Sequence, residues 1–309
     1  MATIAGAKTH RRGLSLRGRE ALDAYIGLLP FILGFILFTA GPVLYSLYLS
    51  FTEYDVISPP RWTGFANYIT LFRDDPLAGT AMSVTSRYTI VAVPAGLVIG
   101  YILALILNRQ NVKGMSFWRT AFYMPSVVPA MATAYLWGWM LQYDAGLVNQ
   151  FLRILHLPTP KWWGDPNVVL WSFIIMSLWG AGGGVVLYLS ALQGVPTTLY
   201  DAAKVDGANA WQRFWYVTVP MTSPVIYFAF LTGMIGSFQT FTVGFVTTNG
   251  GPANASLFYV LYLYRNAWEY LKMGYGAAMA WVLFAILVVL TWLSLQISQR
   301  LVYYEESEG

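Results

Sequence analysis

The side chains best placed to do chemistry in this sequence are polar and aromatic residues in the middle of long apolar runs. Ser237, Gln239, Thr240 and Thr242 interrupt one run, Ser177, Trp179 and Gly180 a second, and Ser126 lies between Pro125 and Pro129 in a third. Hydroxyls and amides exchange hydrogen bonds with a polyol, and an indole can cover the apolar face of a sugar ring. Ser237 and Thr240, three residues apart, would share a helix face. Small hydroxyl residues and glycines also let membrane helices pack closely and bond one another. Both readings stand for each hydroxyl. Packing is the expected role of Gly182-Gly183-Gly184 and of the Gly96/Gly100 pair.

Other chemistry is poorly provided for. The chain has no cysteine and two histidines, His10 and His156, so thiolate catalysis is absent and a histidine metal site is not expected. None of the five lysines follows a glycine, so the Gly-Lys-Ser/Thr element of a phosphate-binding loop is missing. No run presents a nucleophile beside a base, which argues against an enzyme. No bound cofactor is expected on this chain, and any ATP and magnesium would belong to another subunit.

The elements that must position these residues are membrane helices. Hydrophobic residues make up 57% of the chain and charged ones 10%, against about 25% charged in soluble domains. Runs free of Asp, Glu, Lys, Arg and His predict spans near 25–51, 88–108, 120–142, 168–192, 220–246 and 274–298, each long enough for the about 20 residues a crossing helix needs. The resulting expectation is an all-α polytopic membrane protein with six transmembrane helices. Residues 24–300 would form one domain between a basic tail at 1–23 and a short tail at 301–309. The first apolar run is too long for a cleaved leader, so a retained helix is expected. Turn signals such as Asp75-Pro76 and Asn249-Gly250-Gly251-Pro252 fall between spans. Tyr45, Tyr48, Trp118, Trp162, Trp163, Trp215, Tyr303 and Tyr304 flank the spans, as interfacial anchors do.

Orientation follows from the cations. Eleven Lys and Arg fall in the N-terminal tail, the 109–119 loop, the 193–216 loop and the C-terminal tail, against seven in the opposite loops. Because positive loops stay cytoplasmic, both termini and residues 195–216 are expected there. The spans carry no ionisable side chain other than tyrosine. That disfavours an ion-coupled secondary transporter, whose coupling proton needs a titratable site, and favours a neutral passenger.

Within the 195–216 loop, Pro196 suits a helix start, Thr197 and Thr198 could satisfy free N–H groups, and Gly207 suits a stop at positive φ. A short helix at about 197–206 would place Leu199, Ala202, Ala203 and Asp206 along one side, with Asp201 as a polar anchor. Composition alone leaves open an ordinary interfacial helix–turn–helix.

The spacing Asp201-Ala202-Ala203, three residues, Gly207, nine residues, then Val217-Thr218-Val219-Pro220 resembles the Glu-Ala-Ala…Gly…Ile-x-Leu-Pro signature of binding-protein-dependent ABC importer permeases. Asp201 replaces Glu, Val217 Ile and Val219 Leu. Ser50-Phe51-Thr52-Glu53-Tyr54, Gly64-Phe65-Ala66-Asn67-Tyr68, Thr248-Asn249-Gly250-Gly251-Pro252 and Met273-Gly274-Tyr275-Gly276-Ala277 look like its carbohydrate subgroup, which includes the maltose permeases. The ending Tyr303-Tyr304-Glu305 suits the first of two heterodimer partners.

The resemblance implies a sugar-importing subunit in a bacterial or archaeal inner membrane. It implies as partners a second homologous permease, two ATPase subunits and an extracytoplasmic solute-binding protein, with lipid around them and no nucleic acid. It implies that Leu199, Asp201, Ala202, Ala203, Asp206, Gly207 and Pro220 belong to the coupling loop seated on the ATPase. It also places the passage near Ser126, Trp179, Gly180, Ser237 and Thr240, to which Gln239 is added on its position. The alternatives are an ion-coupled secondary transporter and an ABC permease for a non-sugar solute such as glycerol phosphate.

Overall fold

The computed structural model describes residues 16–109 and 114–301. Most of the basic tail, Asn111 and Lys113 of the 109–119 loop, and the Tyr303-Tyr304-Glu305 ending lie outside them. The expected first span is built from α1 (Leu16–Phe35), a π turn at Ile36–Ala40 and α2 (Gly41–Ser50). Pro42 opens α2 without an N–H to donate, and the wider π turn before it absorbs the missing bond. A short antiparallel ribbon follows, β1 (Thr52–Glu53) on β2 (Arg61–Trp62), with Thr52 opposite Trp62. This ribbon is an addition to the expected all-α architecture. Next come the single turn α3 (Ala66–Ile69) and then α4 (Pro76–Leu107).

Helix α4 starts at Pro76, not at residue 88. The Asp75 Oδ1 atom accepts from the N–H groups of Leu77 at 3.0 Å and Ala78 at 3.1 Å, with Pro76 in the first turn. That is a strong helix start. At 1.5 Å per residue its 32 residues span about 48 Å, more than the roughly 30 Å of hydrocarbon. The helix is therefore longer than a crossing needs, and Arg87 falls in the added turns. The other oxygen of Asp75 accepts from Tyr262 Oη at 2.7 Å and Tyr275 Oη at 2.6 Å. Partial burial alone would raise this carboxyl's pKa. The hydrogen bonds from Tyr275, Tyr262, Ala78 and Leu77 outweigh burial and hold it below the ordinary 3.8. Tyr262 is pushed up to about 12 by burial and by the same carboxylate.

The later spans are broken where the sequence is expected to continue. The third is α5 (Met115–Val127) and α6 (Ala130–Met140). Val128 between them is extended, at φ −70° and ψ 127°, as the residue before a proline prefers. Helix α7 (Leu147–Ile154) precedes the fourth span, which is α8 (Val169–Trp179), a 3-10 turn at Gly180–Gly184, and α9 (Val185–Gly194). Two short helices, α10 (Thr197–Val205) and α11 (Ala210–Arg213), lead through a π turn into α12 (Val219–Phe238) and α13 (Thr242–Thr247). Then α14 (Tyr259–Tyr264) precedes the final long helix, α15 (Met273–Leu301).

Five stretches of helix among the described residues are long and apolar enough to cross a membrane: Ala24–Ser50, Pro76–Leu107, Val169–Gly194, Ala210–Thr247 and Met273–Gln299. The break at Val128 and Pro129 leaves α5 and α6 individually short.

The core forms around α4. Tyr88 meets the Phe258 ring edge-on at 5.2 Å, and Phe258 meets Phe173 of α8 at 5.3 Å. Tyr259 donates its N–H to Thr85 Oγ1 at 2.8 Å and its hydroxyl to the Met279 carbonyl at 3.1 Å, which joins α4, α14 and α15. Residues 24–45 are little covered by the rest of the described chain, with Phe38 83% and Phe31 71% exposed, whereas the end of α2 packs on α15 through Ser46 and Trp281. So extended an apolar surface needs lipid or another subunit against it.

Candidate functional site

The first candidate site is the α10 region. Helix α10 ends in a Schellman stop. The Gly207 N–H donates to the Lys204 carbonyl at 3.0 Å, and the Ala208 N–H to the Ala203 carbonyl at 2.9 Å. Gly207 has φ +79°, and a Cβ there would meet nothing within 4 Å, so the backbone angle alone selects glycine. The start differs from expectation, because neither Thr197 nor Thr198 caps it and Pro196 occupies the cap position without a side-chain bond. Asp201 does not anchor the helix either. Its carboxylate pairs with Lys204 at 2.8 Å on the exposed side, where an ion pair contributes little.

The anchor is Tyr200, which the motif-based reading passed over. Its hydroxyl is hydrogen-bonded to Thr218 Oγ1 at 3.0 Å. Nearby, Arg213 Nη1 donates to the Ala208 carbonyl at 3.0 Å, and Asn209 and Gln212 cap α11 reciprocally. Pro220 lies in the first turn of α12, and its carbonyl accepts from Ser223 Oγ at 2.7 Å. Leu199, Ala202 and Asp206 are exposed and Ala203 half-buried. Leu199, Ala202, Val205 at 88% and Trp211 at 69% exposure present apolar surface, beside Asp206, that no element among the described residues covers.

The second candidate site is a pair of adjoining hollows at the break points of the spans. One of about 280 Å³ is lined by Pro125, Ser126, Thr133, Ser177, Trp179 and Gly180, among others. The other, of about 530 Å³, is lined by Gly180, Ser237, Thr240, Gly236, Thr232 and Tyr188, with further α4 residues. Tyr88, Ser177 and Gly180 border both. The break at Pro129 opens the first hollow, and the end of α12 at Phe238 opens the second. Neither lining contains a charged side chain among the described residues.

Five of the six passage residues expected from sequence thus fall around these hollows, and Gln239 does not. Gln239 caps the end of α12 and points to the exposed side. Trp179 borders the Ser126 hollow, not the Ser237 one, and meets Trp137 edge-on at 6.2 Å. Ser237 Oγ is hydrogen-bonded to Thr89 Oγ1 of α4 at 2.9 Å, so part of its bonding capacity holds two helices together. Ser126 Oγ donates to the Tyr123 carbonyl at 2.7 Å.

The glycine run divides as packing and lining demand. A Cβ on Gly182 would collide with the Phe122 carbonyl, and one on Gly183 would reach 2.9 Å from Ser126 Cβ. Gly100 lies against Ala181 and Tyr188, whereas a Cβ on Gly96 would meet nothing. Gly96 therefore lines the larger hollow and is no packing device. Tyr88, which borders both hollows, was missed because the charge-free run begins at that residue. A span read from 88 leaves Tyr88 at its edge, whereas packing against Phe258 buries its ring between helices.

Comparison with known proteins places the chain in a family. The profile of the family described as "binding-protein-dependent transport system inner membrane component" matches residues 96–303. The probable ABC transporter permease protein YesP of Bacillus subtilis is 36% identical over 98% of each chain. The arabinooligosaccharides transport system permease AraP of Halalkalibacterium halodurans is 33% identical over 86% of this chain and 84% of its own. The lactose transport system permease LacF of Rhizobium radiobacter is 31% identical over 90% and 95%. A chain of a bacterial ABC transporter that imports the acidic polysaccharide alginate shares the fold, at TM-score 0.80 and 23% identity over 92% of this chain and 98% of that one. The chain belongs to the family of inner-membrane components of binding-protein-dependent transport systems, the permease subunits of ABC importers.

Proposed function

We propose that this chain forms half of the translocation path of an importer for a neutral sugar or oligosaccharide, with α10 seated on a separate ATPase subunit. The observation that carries the coupling role is the construction of α10. It is sharply stopped by Gly207, tied to the base of α12 through Tyr200 and Thr218, and exposed along its apolar side. A rigid helix fastened to a span can pass on a partner's movement, and a loose loop cannot. ATP and magnesium belong to that partner in this reading. A second permease covers the bare faces of this chain, and an external binding protein delivers the solute.

With α5 and α6 counted together as one of six spans, both termini and α10 share a side, and the excess of Lys and Arg there supports the cytoplasmic one. The uncharged hollows and their hydroxyl and indole linings support a neutral carbohydrate, as do relatives named for arabinooligosaccharides and lactose. A phosphate-bearing passenger would find no cation there. The test is reconstitution with the cognate ATPase, second permease and binding protein. ATP hydrolysis should rise with a neutral oligosaccharide and not with glycerol phosphate. Failure of the permease to retain the ATPase through purification would overturn the coupling assignment.

A further inference from the structure

Helix α7 and the segment around it fill the connection between α6 and α8, at the end of the fourth span opposite α10. At about 100° per residue, the side chains of α7 sort into three sectors. Asn149 faces inward and is fully buried, with Val148 and Leu152 half-buried beside it. Its amide donates to the carbonyls of Tyr143 at 3.0 Å and Pro160 at 3.1 Å, and its oxygen accepts from Trp162 Nε1 at 2.8 Å. Gln150 and Arg153 form the polar sector. Gln150 donates to the Ala145 carbonyl at 3.0 Å, and Arg153 to those of Asp144 at 3.0 Å and Tyr143 at 2.9 Å. The third sector is apolar and bare: Leu147 is 47%, Phe151 61%, Ile154 73% and Leu155 50% exposed.

A helix that buries one side on protein and keeps a bare apolar stripe beside a polar face fits the membrane interface. We infer that α7 is a membrane-surface helix whose Leu147, Phe151, Ile154 and Leu155 stripe enters the phospholipid bilayer at the boundary of headgroups and acyl chains. The short connection 141–146 from α6 and the Asn149 contacts with Pro160 and Trp162 hold it near the end of the spans, at the bilayer edge where such amphipathic helices lie. Charge agrees. The Arg153 guanidinium and the Lys161 ammonium lie 5.9 and 5.6 Å from the Tyr143 ring centroid, so positive charge borders the polar side of the helix as on other membrane-surface helices. The Asn149 hub explains the rigidity this needs, since it locks α7 to the Tyr143 and Pro160 ends of its own loop. The inference is independent of which solute is carried.

The cysteine-free sequence permits a direct test. Phe151→Cys, Leu155→Cys and Gln150→Cys are each given a nitroxide label, and the complete transporter is placed in nanodiscs of phosphatidylethanolamine and phosphatidylglycerol. Collision with apolar oxygen and with a water-soluble nickel chelate is then measured. At Phe151 and Leu155 the oxygen-to-nickel ratio should exceed that at Gln150 several-fold. Leu155→Cys keeps the test open where Phe151→Cys fails to assemble. Equal ratios at the three positions would place the stripe in water. Low collision with both agents and an immobile label would place it against another subunit. Either result overturns the inference.

Discussion

The Tyr200 hydroxyl of α10 and the Thr218 hydroxyl at the base of α12 are hydrogen-bonded at 3.0 Å. The bond does not end there. The Thr218 carbonyl accepts from Thr222 Oγ1 at 2.8 Å, and Thr222 Oγ1 is bonded to Tyr101 Oη of α4 at 2.7 Å. A continuous polar chain therefore runs from the exposed helix through the fifth span to the second. Thr218 and Thr222 are buried, where such networks are most rigid.

Tyr200→Phe should remove the first bond and keep the ring. Each such bond contributes about 0.5–1.5 kcal/mol, so the subunit should still assemble with its ATPase. Hydrolysis stimulated by loaded binding protein should fall more than basal hydrolysis. Thr218→Ser should restore most of what Thr218→Val loses. Equal loss in both Thr218 variants would show that packing at this point, not the hydroxyl, matters.

Gly207→Val forces a β-branched residue to φ +79°, a strain of roughly 1–3 kcal/mol. With no neighbour for its side chain to strike, that strain should melt the end of α10 and leave the spans inserted. Transport should be lost while membrane abundance persists. Asp201→Lys sets like charges beside Lys204 and should impair transport without lowering the melting temperature. Normal uptake by both variants would remove α10 from the coupling machinery.

Ser237→Ala and Thr240→Ala should each reduce uptake in part, at about 0.5–1.5 kcal/mol per lost bond, and together much more. Basal ATP hydrolysis should survive, since α10 is untouched. Trp179→Leu should harm transport of a sugar more than that of a small polyol. Ser237 also bonds Thr89, so Thr89→Val supplies the control. If it alone reproduces the double alanine effect, helix packing accounts for Ser237.

The Asp75 clamp predicts a pH window. Its folded pKa lies below the ordinary 3.8, so its stabilisation is fully present above that value and disappears as pH falls through the lower folded one. The melting-temperature gap between the native chain and Asp75→Asn should hold from neutral pH to about pH 5 and close in stronger acid. A gap that closes near neutrality would contradict the depressed pKa.

Topology is open to the same cysteine-free background. Ser58→Cys in the ribbon loop and Val205→Cys in α10 should label from opposite sides of intact cells. An impermeant thiol reagent reaching Val205→Cys from outside would invert the orientation.

Membrane character and the α10 stop were legible in the sequence because each depends on local physics. Charge-free runs of span length report the cost of burying ions in hydrocarbon, and a glycine after a short helix reports a backbone angle. The spacing from Asp201 to Pro220 carried the family resemblance in the same way. The start of α4 was misjudged because charge marks the hydrocarbon boundary, whereas a helix ends where its N–H groups find a cap, here Asp75. The breaks at Pro129 and after Phe238 decided which mid-span residues share a hollow. That choice divided Trp179 from Ser237 and left Gln239 outside both hollows. The anchoring of α10 by Tyr200 was equally invisible, because its partner lies in another helix. Residue type and spacing state what a segment can do by itself, but contacts between distant segments depend on relative placement, which tertiary packing alone determines.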